Sequence, residues 1–377
     1  MKIACAPKGT EIKGKFDFNV VLYDWSDDRN EGQIGGSIIH EIKRLGLGPS
    51  QLSWDFLSIA LAVISADEAV PRFRSGDGWT RTIDLTVSVA NPKPWKASAA
   101  TLEEALKFLT TDVWRLKFVS GGLYPKPTNV GARSEDCVCL LSGGLDSLVG
   151  GLDLKAMGHA PLLVSQVAKG DKDTQREFAQ AIGPKLLHLQ LNHNARPPKG
   201  FSERSQRARS IIFLAYAVLA ATTLKTYSGG KPVPIFIPEN GFISLNAPLT
   251  ILRLGSHSTR TTHPHYLGLL QRVLDDVGLE VNLVNPYQFK TKGEMLKGCK
   301  EKALLTAHAG KSTSCGRYAR NAFTHCGRCV PCLIRRAAFH KLGTDTTRAY
   351  RYADIEKPGS KLRDFDDVRS MAMAIET

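Results

Sequence analysis

Apolar and polar positions alternate with a two-residue period along Phe16–Trp25 and again along Trp79–Val89, where Ile83, Leu85, Val87 and Val89 alternate with Thr82, Asp84, Thr86 and Ser88. Strands half-buried on one face have this pattern, so both stretches are predicted as strands. Leu52–Ser65 between them reads as a buried helix. A second helix is predicted over Leu102–Leu109, capped by Thr101 and carrying Glu103 and Glu104 in its first turn, where carboxylates suit the helix dipole. These elements predict an N-terminal α+β domain over residues 1–128 with no catalytic constellation. Gly121-Gly122-Leu123-Tyr124-Pro125-Lys126-Pro127 breaks both periods and marks a linker.

From Cys137 the rhythm changes. Cys137–Leu141, Pro161–Val167, Leu186–Leu191 and Val233–Ile237 are short strand-like runs, and helical stretches at Leu145–Met157, Asp173–Ile182 and Ser205–Leu224 separate them. Strands alternating with helices predict an α/β domain over residues 134–377, built on a parallel sheet with helices on both faces. Ligands of such sheets bind beyond the carboxyl ends of the strands.

Length and composition fit this division. The chain has 377 residues, enough for two cores, and its 42% hydrophobic and 23% charged content is that of an ordinary folded protein. The longest apolar stretches, Leu57–Ile64 and Ile211–Ala221, fall short of the roughly 18 residues of a membrane span, so no membrane partner is expected. Met1–Pro7 has no apolar signal-peptide core, and a cytoplasmic location with reduced thiols is expected. The net charge of +14 is uneven: residues 1–130 hold 16 basic and 15 acidic side chains, the remainder 34 and 21. Anion handling therefore belongs to the C-terminal two-thirds, with a nucleotide, a nucleic acid or an acidic substrate as the partner classes.

Two motifs carry chemistry. Ser142-Gly143-Gly144-Leu145-Asp146-Ser147 stands where a strand meets a helix, and its glycines let free N–H groups and two hydroxyls approach an anion. It lacks the Gly-Lys-Ser/Thr ending of a Walker loop, which removes the usual reason to expect γ-phosphate chemistry. Farther on, Cys315, Cys326, Cys329 and Cys332 account for four of the eight cysteines. Their spacing suits a closed tetrahedral Zn²⁺ site that is structural, with an iron–sulfur cluster as the competitor and His325 or Cys299 as substitute ligands ranked below Cys315.

The first motif resembles the signature of the PP-loop ATP pyrophosphatase family, with its adenine-nucleotide α-hydrolase-like (HUP) fold. The resemblance implies that Ser142, Gly143, Gly144, Asp146 and Ser147 hold ATP phosphates for α–β cleavage, and that Asp146 is the Mg²⁺ partner, magnesium favouring carboxylate and phosphate oxygens. Together the two motifs resemble the 7-cyano-7-deazaguanine synthase (QueC) family. Pro286-Tyr-Gln-Phe-Lys-Thr-Lys292-Gly-Glu294 keeps that family's proline, lysine and glutamate spacing, and Arg209-Ser-Ile-Ile-Phe-Leu-Ala its arginine-led helix. The likeness spans about residues 137–340.

The family implies an AMP-forming C–N ligase with ATP, Mg²⁺ and Zn²⁺, acting on a deazapurine-like carboxylate such as 7-carboxy-7-deazaguanine. Asp146 and Lys292 are the implied catalytic residues, Lys292 by neutralising phosphate charge. Arg209, Glu239 and Asn240 are candidates for contacting the nucleotide. Arg204 and Arg207 read as a solvated basic face, and His263 and His265 as loop histidines. Val167-Ala-Lys-Gly-Asp-Lys-Asp173 departs from the family's aromatic-Gly-Gln-Arg-His stretch, which bears on the substrate and the second chemical step. The added N-terminal domain resembles variants from anti-phage operons of the Qat and cyclic-oligonucleotide types, and implies a protein partner from the same operon. A degenerate PP-loop scaffold that binds nucleic acid or a partner, and a sulfur-transfer enzyme acting on tRNA or DNA, are the alternatives.

Overall fold

The computed structural model describes residues 1–126, 130–167, 170–246, 260–355 and 367–376. Pro127 of the expected linker, the expected domain end at 128, and Ala168 and Lys169 lie outside the described residues.

Along the chain run β1 (Lys2–Pro7), β2 (Phe18–Leu22), β3 (Gly32–Ile34), α1 (Ile38–Arg44), α2 (Gln51–Ala69), β4 (Thr82–Ser88), α3 (Pro92–Ala97), α4 (Ala99–Thr110) and β5 (Val113–Val119). Then come β6 (Cys137–Leu140), α5 (Leu145–Ala156), β7 (Pro161–Gln166), α6 (Lys172–Ile182), β8 (His188–Leu191), α7 (Ser210–Ala221), α8 (Lys225–Ser228) and β9 (Val233–Phe236). The last are α9 (Gly241–Ser244), α10 (Pro264–Val277), β10 (Val281–Val284), α11 (Lys292–Gly298), α12 (Lys302–Ala309), α13 (Val330–Leu342) and α14 (Asp367–Glu376). Among the described residues no helix is long and apolar enough to cross a membrane.

The strands form two five-stranded sheets, ordered β3-β2-β1-β4-β5 and β10-β9-β6-β7-β8, both of parallel strands. Each has its first strand at the centre, the next two on one side and the last two on the other. Two compact units result, one of Met1–Val138, Leu189–Ile235 and His263–Val284, the other of Cys139–His188, Phe236–Thr262 and Asn285–Thr377.

The α/β class holds, and the α+β expectation for residues 1–128 is corrected. Every neighbouring pair in the first sheet is parallel, including β1 with β2 and β4 with β5. Parallel neighbours need crossovers, and α1–α2 and α3–α4 supply them between β3 and β4 and between β4 and β5. Register places Phe18, Ile3, Leu85 and Leu116 in one cross-strand row and Val20, Cys5, Val87 and Phe118 in the next. Helices cover that face: Trp95 of α3 stacks on Phe56 of α2 and meets Phe118, while Trp114 donates its indole N–H to Thr110 Oγ1 of α4. Because α2 also packs against α7, it is buried almost all round; its sequence is mostly apolar, and its buried Asp55 and Asp67 are held by hydrogen bonds from Ala90, Asn91 and Arg81.

One end of this unit is held by a buried ion cluster. Arg72 grips Asp112 with both guanidinium nitrogens at 2.7 and 2.9 Å, and Arg81 bridges Asp67 and Asp112 at 2.5 and 2.6 Å. Asp67 also accepts the backbone N–H groups of Arg207 and Ala208. Arg207, expected on a solvated face, is buried, and its guanidinium lies 4.0 Å from the Trp79 ring centroid.

Candidate functional site

The glycine turn between β6 and α5 folds as its residues dictate. Gly143 has φ +85°, a conformation costly for any residue with a Cβ, and Gly144 caps the helix. Ser147 Oγ accepts the Ser142 N–H at 3.2 Å and donates to the Gly144 carbonyl at 2.9 Å, closing the turn from the helix side. Gln175 of α6 fixes the other side by donating to the Ser142 and Gln166 carbonyls. Ser142 itself is exposed.

Asp146, in the first turn of α5, is 5% exposed and densely bonded. Its Oδ1 takes a hydrogen bond from Lys292 Nζ at 2.5 Å, and its Oδ2 takes bonds from the Asn240 amide nitrogen at 2.7 Å and the Asn240 backbone N–H at 3.2 Å. Asn240 also donates to Glu239 Oε1 at 3.1 Å, so one amide spans two carboxyl groups. Burial works against a charge on Asp146, but the Lys292 ammonium and the surrounding donors outweigh it and hold the carboxyl well below its usual range. Glu239 goes the other way: burial, then the Asp146 charge, push it well above its usual value. The two shifts are opposed, so the pair favours its negative charge on Asp146, beside Lys292.

Three local devices bring these side chains together. Thr291 and Glu294 form a reciprocal capping box that starts α11 at Lys292. Gly241 lies so close to the next loop that an added Cβ would be 2.1 Å from the Gln288 carbonyl oxygen. On α5, Gly150 lies one turn beyond Asp146, and a Cβ there would sit 2.3 Å from Pro238 Cγ. Its bare backbone lets Pro238 pack onto the helix, which sets Glu239 and Asn240 beside Asp146. Gly150 and Gln175 are contributors not foreseen from the sequence; a glycine in the interior of a helix was the available signal for the first.

The structure thus brings Asp146, Lys292, Glu239 and Asn240 into one constellation beside the 142–147 turn. Arg209 is exposed at the N-terminal end of α7, in the other unit. His263 caps α10 by accepting the His265 N–H.

The four cysteines form a second, separate site. Cys315, Cys326, Cys329 and Cys332 are buried, with all four sulfurs within 4.8 Å of one another. Cys326 Sγ lies 3.8 Å from Cys332 Sγ, and Cys329 Sγ 3.9 Å from Cys315 Sγ. A tetrahedral ion with bonds of about 2.3 Å needs sulfurs about 3.8 Å apart, so the set can hold a metal ion such as zinc. Backbone N–H groups of Arg317 and Cys326 reach Cys315 Sγ, and those of Arg328 and Cys329 reach Cys326 Sγ, an environment made for thiolates. Gly327, at φ +85°, makes the knuckle turn. His325 Nε2 instead accepts the Ser314 N–H, and Cys299 lies in the apolar core against α5, so neither belongs to the four-sulfur set. No protein-family model matches the chain, and no curated protein matches it.

Proposed function

We propose that the chain is an ATP-dependent, AMP-forming ligase of the QueC-like PP-loop type, with a carboxylated deazapurine as its acyl substrate and an amine as acceptor. The observation that carries this reading is the placement of Asp146 directly after the Ser142-Gly143-Gly144 turn, paired with Lys292 and Asn240. A carboxylate kept ionised beside a phosphate-sized turn is what a Mg²⁺–triphosphate site needs. Mg²⁺ would supply charge neutralisation at the phosphates, held by Asp146. Lys292 positions that carboxylate and brings a second positive charge, while the glycine turn offers N–H groups to phosphate oxygens. The substrate carboxylate would attack the α-phosphorus, pyrophosphate would leave, and the amine would then displace AMP from the acyl carbon with loss of its proton to solvent. Zinc would hold the 315–332 segment without entering the reaction.

A protein from the same operon is the proposed acceptor, in anti-phage defence in the cytoplasm. The sulfur-transfer alternative needs a reactive thiol outside the metal set. Cys5, Cys137, Cys139 and Cys299 are all buried, and burial pushes the Cys139 thiol up to about 12 and the Cys299 thiol up to about 11. The test is product analysis with ATP, Mg²⁺ and 7-carboxy-7-deazaguanine. AMP and pyrophosphate in equal amounts are expected, with Asp146→Ala lowering the rate at least ~1,000-fold, a few kcal/mol of charge stabilisation. ADP with phosphate, or no turnover beside intact nucleic-acid binding, would replace this reading with γ-phosphate chemistry or a binding scaffold.

A further inference from the structure

Among the described residues, the connections on one face of the first sheet contain no helix. In a sheet wound this way, right-handed crossovers put the β1–β2 and β2–β3 connections on one face and those from β3 to β4 and β4 to β5 on the other. Only the second pair contains helices here. Residues 8–17 and 23–31 connect β1 to β2 to β3 without a helix. The face they should cover carries the rows Lys2–Asp84–Arg115, Asn19–Ala4–Thr86–Lys117 and Val21–Ala6. Lys2, Asn19, Arg115 and Lys117 are exposed on it and Ala4 and Thr86 are buried at its centre, although parallel sheets are normally buried throughout both faces.

The face has relief and charge. Beside β1 and β2 lies a cleft of about 740 Å³, floored by Ala4, Ala6 and Val21 and walled by Ile12 and Phe16 of the 8–17 loop. Small floor residues admit a close-packed rod of side chains, the role a crossover helix fills in a complete sheet. Around it, Lys2, Lys13, Lys15 and Lys117 have no ion-pair partner among the described residues, whereas Asp84 is engaged by Arg115 at 3.4 Å. Glu11 is the one carboxylate on the cleft wall that the hydrogen bonds and ion pairs among the described residues leave unengaged.

We propose that this face docks an acidic amphipathic helix of a partner protein, its apolar stripe over Ala4, Ala6 and Val21 and its carboxylates against the four lysines. The proposal deepens the reading above by placing the partner on a surface, and it rests on that reading only for the partner's role. Apolar floor plus cationic rim favours a helix over nucleic acid, whose backbone would gain from the lysines but not from the alanines.

The test uses the full chain and two synthetic 20-residue amphipathic helices with the same leucine and alanine stripe, one with glutamate and one with lysine on the polar face. Methyl NMR should show Ala4, Ala6 and Val21 shifting with the acidic peptide at an affinity at least tenfold better than with the basic one. Lys15→Glu with Lys117→Glu, both exposed positions, should weaken the acidic peptide at least tenfold while the circular dichroism stays unchanged. Equal binding of both peptides, no effect of the double variant, shifts of these methyls by a 20-nucleotide single strand instead, or concentration-dependent self-association through the same methyls would each overturn it. Pyrophosphate release is read separately, so failure of the ligase reading leaves this result intact.

Discussion

The two sheets share a winding order and differ in what their connections contain. In the second, α5 and α6 link β6 to β7 to β8, and β6 and β7 are buried at every position. In the first, loops replace the corresponding helices, and β5 alternates strictly, Trp114 and Phe118 buried against exposed Arg115 and Lys117. Connection length thus decides strand composition: a strand covered twice must be apolar throughout, and one covered once needs apolar residues only at every second place. The same difference governs chemistry. The β6–α5 turn offers a helix start to an anion, whereas the β1–β2 loop has none to offer.

The largest effect expected from separating the two units is at the cysteine set. Chelation, or Cys329→Ser, should release the metal and open the 315–355 segment to protease, since structural zinc binding is worth about 10 kcal/mol of coupled folding. Elemental analysis should return one zinc per chain, and protease sites within residues 1–120 should stay protected.

Next come paired substitutions on the sheets. Val164→Glu in β7 places an unpaired charge at a fully buried site and should cost more than about 4 kcal/mol in urea unfolding, whereas Lys117→Glu in β5 should stay within about 0.5 kcal/mol. Similar costs at both would mean that the first sheet's outer face is covered after all.

Asp112→Ala removes one member of the buried ion cluster and should cost about 3–5 kcal/mol, because Arg72 and Arg81 lose their shared carboxylate. Burial alone would raise the Asp112 carboxyl, but Arg81 and Arg72 more than offset that and hold it below its ordinary value. Its folded value being the lower one, the stabilisation is complete above the unfolded value of about 3.9 and disappears as pH falls through the folded value. Denaturant midpoints from pH 6 down to pH 2 should show this loss in the parent and not in Asp112→Ala.

A smaller cost than that of Asp112→Ala is expected for Gly150→Ala. In a helix interior that exchange ordinarily gains about 1 kcal/mol. Here the new methyl meets Pro238, so a loss of about 1–3 kcal/mol is expected together with a fall in pyrophosphate release, as Asn240 moves off Asp146. A stabilised variant with full activity would break the positioning role assigned to Gly150.

Much of this was legible in the sequence because each signal was local. The β6–turn–α5 unit is written in consecutive residues, and the four thiols in a compact spacing. The first sheet was read less well: β1 is a six-residue run, Lys2–Pro7, whose period is blurred because Ala4 and Ala6, on the face opposite Ile3 and Cys5, are themselves apolar. β5 does alternate, yet alternation says nothing about parallel or antiparallel pairing, which depends on the crossover. Lys292 was expected at the phosphates from resemblance and Glu239 and Asn240 at the ligand edge from their place after a buried strand, but Pro238 resting on Gly150 is a contact between distant residues that no periodicity encodes.

The first unit is assembled from three stretches of chain, the last ending at Val284. During synthesis α2 leaves the ribosome long before α7, against which it packs. At about 5–20 residues per second, the nascent helix waits roughly 8–30 s with its apolar surface unmatched. A chain released near residue 128 would never receive α7. The N-terminal stretch therefore keeps apolar surface exposed until α7 emerges, and it should be expressed only with its later segments attached.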